Sequence, residues 1–329
     1  MLISKGVFHK NLISLEKAKS RPQCRCGGKV VFFRAYNGES LCADCFNASI
    51  FDKVRRTISR YDMLRYGDKV GVAVSGGKDS TSLLYILSKI MKDHGSELYA
   101  LTIDEGIEGY REESVRNAET LAKDLNIPLL VASYKEFFGF SLDEAMQERD
   151  AKGIKTTSCA MCGPLRRRSI DLAAEKLGVN LVATAHNLDD TLQTFYINLY
   201  SGDTERIRWL DPAYRPKQSE FKLRRIKPAM EIYEEELAFF AYLNKLPFQS
   251  ESCPYMNEGI RTEIRLHLNE LERKHPGTKY STLKTVLAIS SSLNLDESDR
   301  KKAIRCEKCG AVSTGRVCAA CQTVELVKN

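Results

Sequence analysis

Three consecutive runs decide the reading of this chain: Val70-Gly71-Val72-Ala73-Val74, then Ser75-Gly76-Gly77-Lys78-Asp79-Ser80, then Thr81-Ser82-Leu83-Leu84-Tyr85-Ile86-Leu87. The first is short, β-branched and apolar, which suits a strand buried on both faces. The last has apolar residues at helical spacing. Between them lie two glycines, hydroxyls and one lysine. A strand, a Gly-rich turn and a helix start make an anion site: backbone N–H groups converge, and the helix terminus adds positive partial charge. Ser75 and Ser80 add donors, and Lys78 adds a full charge. The common nucleotide P-loop has Ser or Thr directly after its lysine. Here Asp79 follows, so this is a different loop. An ordinary Gly-rich turn in an α/β unit is the competing reading.

Outward from the loop, strand and helix patterns alternate. Leu98–Ile103 reads as a second strand ending in Asp104, followed by a helix from about Glu112 to Leu125. Leu129–Ala132 reads as a third strand, and Leu181–Ala185 as a fourth. It runs into His186-Asn187-Leu188-Asp189-Asp190, which opens a helix. This alternation implies a parallel sheet, with ligands at the carboxyl ends of its strands. Ser75, Ile103 and Asp104 then share one rim. Asp189 and Asp190 read either as N-terminal helix partners or as groups near a magnesium-bound nucleotide.

The cysteines carry the second message. There are 11, an odd number. Metal ligation explains them better than disulfides in a reducing compartment. Cys24, Cys26, Cys42 and Cys45 form two knuckles with Val30–Phe33 between them. Cys306, Cys309, Cys318 and Cys321 form a paired C-x-x-C near the end. Each set suits one tetrahedral zinc, giving two in all. Cys159, Cys162 and Cys253 remain. Three thiolates are one short of a closed zinc site and enough for a [4Fe-4S] cluster with one iron open. A persulfide carrier at Cys159 or Cys162, or inert buried thiols, are the other readings.

A linker helix is expected from Phe46 to Leu64, with Ile50, Val54, Ile58 and Met63 inward and Lys53, Arg55, Arg56 and Arg60 as a solvated basic flank. Gly163-Pro164 is expected to precede a helix carrying Arg166, Arg167 and Arg168. The stretch from Gly202 to Lys227 reads as a basic loop: Arg206, Arg208, Arg215, Lys217, Lys222, Arg224, Arg225 and Lys227 alternate with Trp209, Tyr214 and Phe221. That mixture suits phosphate contact and base stacking, or a mobile surface loop. Helices over Tyr233–Asn244, roughly 258–274 and Ser281–Leu293 follow.

Taken together, these features resemble the tRNA 2-thiouridine synthetases of the TtuA/NcsA type, within the N-type ATP pyrophosphatases. The resemblance covers nearly the whole chain. It rests on four features in order: a four-cysteine module, Ser75–Ser80, Cys159/Cys162 with Cys253, and a terminal four-cysteine module. It implies a PP-loop α/β core with an all-α extension and flanking zinc ribbons. ATP with Mg2+ would bind at Ala73, Ser75, Gly76, Gly77, Lys78, Asp79, Ser80, Ile103, Asp104 and Ala185, the last standing where the family often has Gly. Cys159, Cys162 and Cys253 would hold a [4Fe-4S] cluster. Asp189 matches a catalytic-site aspartate of the family. Arg166 falls where some members carry a catalytic lysine, and an arginine there acts electrostatically rather than as a base.

The implied reaction adenylylates O2 of a tRNA uridine and replaces it with sulfur. Free sulfide or a ubiquitin-like protein thiocarboxylate is the implied donor. Cytidine thiolation by the related cluster enzymes, cluster-free persulfide thiolation, and a zinc-ribbon RNA-binding protein without catalysis are the alternatives. The expected divisions are a zinc module (1–50), a linker helix (51–68), the catalytic domain (69–202), a basic loop and helical extension supplying Cys253 (203–300) and a zinc ribbon (301–329). Met1–Gly6 shows no signal-peptide core and no apolar run is long enough for a bilayer, so a cytoplasmic protein without a membrane partner is expected. The net charge of +7 suits a polyanion partner. A homodimer is left open.

Overall fold

The computed structural model describes residues 23–212, 223–256, 259–295 and 304–329. The Met1–Gly6 segment, and Tyr214, Arg215, Lys217, Phe221 and Lys222 of the basic stretch, lie outside the described residues.

A hairpin of β1 (Phe32–Arg34) and β2 (Glu39–Leu41) leads into helix α1 (Ala43–Arg60). Its start lies ahead of the expected Phe46 because Cys42 caps it, the sulfur accepting the Cys45 N–H. Its inner face, Phe46, Ile50 and Val54, is fully buried, and Phe32 packs on the Phe46 ring. The helix ends at Arg60, and Asp62 turns the chain in the left-handed region. Met63 is buried beyond the helix rather than on it.

The core is a five-stranded, all-parallel sheet in the order β5-β4-β3-β6-β7. Its strands are β3 (Lys69–Ala73), β4 (Glu97–Asp104), β5 (Leu129–Ser133), β6 (Leu181–Ala183) and β7 (Arg224–Ile226). Val70 stands opposite Leu98 on one side and Leu181 on the other, which makes β3 the centre. Val70, Val72 and Val74 are buried, as a strand covered on both faces requires. Helices α2 (Lys78–Ile90), α3 (Arg111–Asp124), α4 (Tyr134–Phe138), α5 (Leu142–Ala151), α6 (Ser158–Leu177), α7 (Leu188–Tyr200) and α8 (Thr204–Arg208) connect and flank the strands.

Two expectations are corrected here. The stretch from Gly202 to Lys227 is not all loop: it contains α8 and the edge strand β7. Arg224 is drawn to Asp68 at 2.7 Å, and Arg225 to Asp171. Strand β7 has only three residues, RRI, too short and too charged for the alternating pattern to reveal. Second, the helix expected after Gly163-Pro164 begins at Ser158, capped by Thr157, so Cys159 and Cys162 sit in its first turns.

Beyond the sheet come α9 (Glu234–Leu243), α10 (Arg261–Lys274) and α11 (Thr278–Leu295). Helix α9 packs on α2 and α1, while α10 and α11 pack on α7. Lys53 does not belong to a solvated flank. It reaches the fully buried Glu236 of α9 at 2.7 Å, and Arg34 reaches the same carboxylate at 2.6 Å. Tyr36 donates to it as well, at 3.0 Å. The N-terminal module is thus fastened to the helical extension by a buried charge network. The C-terminal module, with β8 (Ile304–Arg305), β9 (Val312–Ser313) and α12 (Ala319–Lys328), packs on α6 instead. Cys306, Cys318, Ala320 and Val327 share one apolar cluster with Met161, Cys162 and Leu165. No described helix is long and apolar enough to cross a membrane.

Candidate functional site

The turn between β3 and α2 is closed by its own hydroxyls. Ser80 Oγ accepts the Ser75 N–H at 3.1 Å and donates to Gly77 C=O at 3.0 Å. Ser75 Oγ lies 3.1 Å from Ser80 Oγ. Gly76 has φ 81°, and a Cβ there would stand 2.2 Å from the Ser114 carbonyl oxygen of α3. Only glycine fits both the backbone and the space. Gly77 caps α2 with its backbone, leaving the N-terminal N–H groups of Lys78 and Asp79 directed at the rim.

Lys78 Nζ is held between Asp79 at 3.2 Å and Glu234 at 2.9 Å. Burial alone would lower its pKa, and the two carboxylates outweigh that and raise it. Burial pushes Asp79 up to about 7 against the pull of Lys78, helped by Glu234 and Asp190. Its Oδ1 is enclosed without a hydrogen-bond partner. An acid kept next to neutrality with a free oxygen marks a place prepared for a cation or a phosphate proton.

Asp189 is differently placed from Asp79. Its Oδ2 accepts the Glu234 N–H at 2.8 Å, and its Oδ1 is bound by the buried ammonium of Lys279. Both oxygens are used, so Asp189 positions the start of α9, which carries Glu234 to Lys78. Asp190 and Asn187 form a capping box at the head of α7. Ala73 ends β3. Asp104 ends β4, its Oδ1 accepting the Gly106 N–H at 2.8 Å. The Ile103 carbonyl accepts from Arg111 at 2.6 Å. Ala185 is half-buried against the main core cluster.

The segment leading to Cys253 crosses this loop. Gln249 N–H donates to Gly76 C=O at 2.9 Å, and Gln249 Nε2 donates to Tyr110 C=O at 2.8 Å. Ser114 donates to Gln249 Oε1. Cys253 therefore follows shortly after the rim crossing; burial raises its thiol pKa against the pull of the Tyr255 backbone and Arg166, with Cys162 and Cys159 adding to the rise. Cys162 is buried beneath Tyr134, whose hydroxyl donates to Cys162 C=O at 3.0 Å. Burial pushes its thiol up, against the pull of Arg166. Arg166 Nη2 reaches Cys162 Sγ at 3.3 Å, and Arg166 Nε pairs with Glu105 at 2.7 Å. Cys159 is exposed on the first turn of α6.

The eight other cysteines gather more tightly. Within each terminal set the sulfurs all lie within 4.8 Å of one another. Cys26–Cys42 and Cys26–Cys45 are 3.5 Å apart, and Cys309–Cys318 is 3.7 Å. Zinc–sulfur bonds of about 2.3 Å in a tetrahedron set sulfurs ~3.8 Å apart, so both sets fit one zinc each. Backbone N–H groups of Cys26 and Cys42 already pull the Cys24 thiol down to about 6. Among the described residues, the central trio is not drawn within 4.8 Å in this way. It does not suit a single zinc. Three cysteines from two segments, with the Arg166 guanidinium beside Cys162, suit a cluster with one accessible iron.

Sequence reasoning did not single out Glu105, Arg111, Glu234 or Lys279. Glu105 and Arg111 flank the end of a predicted strand and look like solvated charges until the fold buries them. On the outer rim, His186 is exposed beside Lys227, Arg261, Arg167 and Arg225. Its ring is open to solvent, so rather than desolvation it is these cations that hold its imidazole pKa down. The neighbouring Arg225 and Arg206 likewise lower the exposed Arg167 guanidinium. This face holds more positive charge than it neutralises, as a phosphate-rich partner would require.

The PP-loop domain family model matches residues 50–272. The chain is 34% identical over 307 residues to cytoplasmic tRNA 2-thiolation protein 1 of Drosophila mojavensis, covering 92% of this chain and 87% of that protein. It is equally 34% identical to the Drosophila melanogaster protein of that name, over 304 residues covering 92% and 86%. Among solved structures it is similar to the U34-tRNA thiolase NcsA from Methanococcus maripaludis with its [4Fe-4S] cluster. That match has a TM-score of 0.79 and 30% identity, and covers 93% of this chain and 96% of the other.

Proposed function

Because the chain belongs to the PP-loop family of tRNA 2-thiolation proteins, we propose that it is a tRNA sulfurtransferase that adenylylates a uridine and replaces O2 with sulfur in the cytoplasm. One observation carries the reading: the segment leading to Cys253 hydrogen-bonds the PP-loop at Gly76, and Arg111, Glu105 and Arg166 link Ser75 to Cys162.

The loop and α2 N-terminus would seat the phosphates of ATP. Lys78 would leave Glu234 for the anion, and Asp79 Oδ1 would face the accompanying magnesium. The uridine O2 then displaces pyrophosphate from the α-phosphorus. O2 is a poor leaving group and AMP is a good one, so adenylylation prepares C2 for attack by a sulfur nucleophile. C2–S forms, C2–O breaks, AMP departs with the former O2, and a proton is lost to give the thiocarbonyl. A cluster on Cys159, Cys162 and Cys253 would supply an open iron that binds sulfur. Arg166 offsets charge at Cys162 and does not serve as a base. Asp189 is a positioning residue, holding the N-terminus of α9. The two terminal four-cysteine sets would each hold one structural zinc, having no open coordination position for chemistry.

The surface of Arg167, Arg206, Arg225 and Lys227 would take tRNA phosphates. Free sulfide or a protein thiocarboxylate would be the donor. Mass spectrometry of nucleosides from a strain lacking this chain tests the reading. Loss of 2-thiouridine from tRNA, restored by the wild-type gene and not by a Lys78→Ala copy, is expected. An unchanged 2-thiouridine level contradicts it.

A further inference from the structure

Between the nucleotide loop and the cysteine trio runs a line of charge, buried at Arg111 and Glu105 and half exposed at Arg166. Arg111 Nη1 donates to the Ser75 carbonyl at 2.9 Å, and Nη2 donates to the Ile103 carbonyl at 2.6 Å. Its Nε stands 2.7 Å from Glu105 Oε2, a pair held by charge rather than by an aligned hydrogen bond. The other oxygen of Glu105 lies 2.7 Å from Arg166 Nε, and Arg166 Nη2 lies 3.3 Å from Cys162 Sγ. Glu105 and Arg111 are 4% and 5% exposed. The Glu105 carbonyl also accepts the Leu142 N–H at 2.7 Å, so the residue is fixed by its backbone too.

We propose that Glu105 and Arg111 are positioning residues that couple the two halves of the site: an occupied nucleotide loop fixes Arg166 over the Cys162 sulfur. The inference rests on reading Ser75–Ser80 as the nucleotide loop and the cysteine trio as the sulfur centre. Two guanidiniums share one carboxylate, leaving one net positive charge on a line that is buried at Arg111 and Glu105 and opens to solvent at Arg166. At its buried end such a charge is costly unless an anion lies near it. Anions belong at both ends: phosphates at the loop and thiolates at the trio. The guanidinium of Arg111 is planar and contacts three groups at once, so a shift of the Ser75 carbonyl is transmitted to Glu105. Ordering the line from one end lowers the cost of ordering it from the other, which is positive coupling.

The test uses full-length, zinc-loaded protein free of cluster, with α,β-methylene-ATP as the uncleavable nucleotide. Alkylation of each cysteine by iodoacetamide is followed by mass spectrometry. In wild type, nucleotide should slow labelling of Cys162 by about fivefold or more, within the usual range of coupling between sites. Glu105→Gln keeps size and should still bind nucleotide, yet lose the slowing. Arg111→Lys keeps the charge, cannot span three partners, and should behave alike. On cluster-loaded protein the same comparison reads the rate at which a chelator bleaches the cluster absorption.

Equal slowing in wild type and both variants would mean that nucleotide merely occludes Cys162, and would overturn the bridge. So would no slowing in wild type that binds nucleotide, or loss of nucleotide binding in both variants. Wild type that binds no nucleotide at all would sink the functional reading and the bridge with it.

Discussion

The terminal cysteine sets and the central trio differ in how their ligands are brought together. Each terminal set comes from one short stretch, and in each a cysteine caps a helix: Cys42 for α1 and Cys318 for α12. Local chain geometry is enough to gather four sulfurs around a zinc-sized point. The trio depends on the whole fold. Two of its cysteines sit on α6, while the third arrives on a segment that must first cross the loop at Gly76. A site closed by local geometry is suited to holding modules in place. A site assembled from distant segments, open on one side and tied to a nucleotide loop, is suited to chemistry.

The largest expected effect follows from that contrast. Single changes Cys159→Ala, Cys162→Ala and Cys253→Ala should each reduce tRNA thiolation to background while sparing ATP binding. Their melting temperatures should shift by less than about 4 °C, roughly 1 kcal/mol in a domain of this size. Thiolation assays beside thermal melts check this, and full activity in any of the three breaks the contrast.

The terminal sets should fail in the opposite way, and differently from each other. Cys306→Ser should remove one metal and loosen α6, because Cys306 and Cys318 share a core with Met161 and Cys162. Cluster retention should fall with it. Cys24→Ser should instead loosen the anchorage of Glu236 to Arg34 and Lys53, leaving the trio intact. Either change should cost several kcal/mol, since structural metal binding is folding energy. Metal analysis and cluster absorption on both variants distinguish them. Equal loss of cluster in both would show that the modules are not specialised.

The smallest effect sharpens the contrast at the loop. Asp79 has its pKa raised to about 7. A carboxyl raised above its unfolded value near 4 binds its proton more tightly when folded, so stability falls as pH rises from ~4 to ~7. Asp79→Asn should therefore stabilise the nucleotide-free protein by on the order of 2 kcal/mol at pH 8 and by little at pH 4.5. Thermal melts at the two pH values check the sign. Equal stabilisation at both would show that Asp79 ionises normally.

What was legible in the sequence follows the same division between local and distant. The strand–turn–helix at Val70–Leu87 and both terminal four-cysteine sets depend on neighbours in the chain, and their residue types announce them. Thr157 gives α6 its start, but Pro164 within the helix suggests a later one. Strand β7 hides in a basic run because its arginines are answered by Asp68 and Asp171, far away in sequence. Lys53 looks like a surface charge until Glu236 is placed beside it. Glu105 and Arg111 carry no motif at all. Asp189 matches a family position, yet in this fold its carboxylate is occupied by Lys279 and the α9 N-terminus.

The trio, loaded with a cluster, is where sulfur would be delivered. This is tested most directly by comparing anaerobically purified, cluster-loaded protein with cluster-free protein whose three thiols are intact, using the same tRNA, ATP and sulfide. The account predicts 2-thiouridine from the loaded protein alone, with both forms binding ATP equally. Thiolation at the same rate by the cluster-free protein would contradict it and leave free sulfide attacking C2 without a cluster.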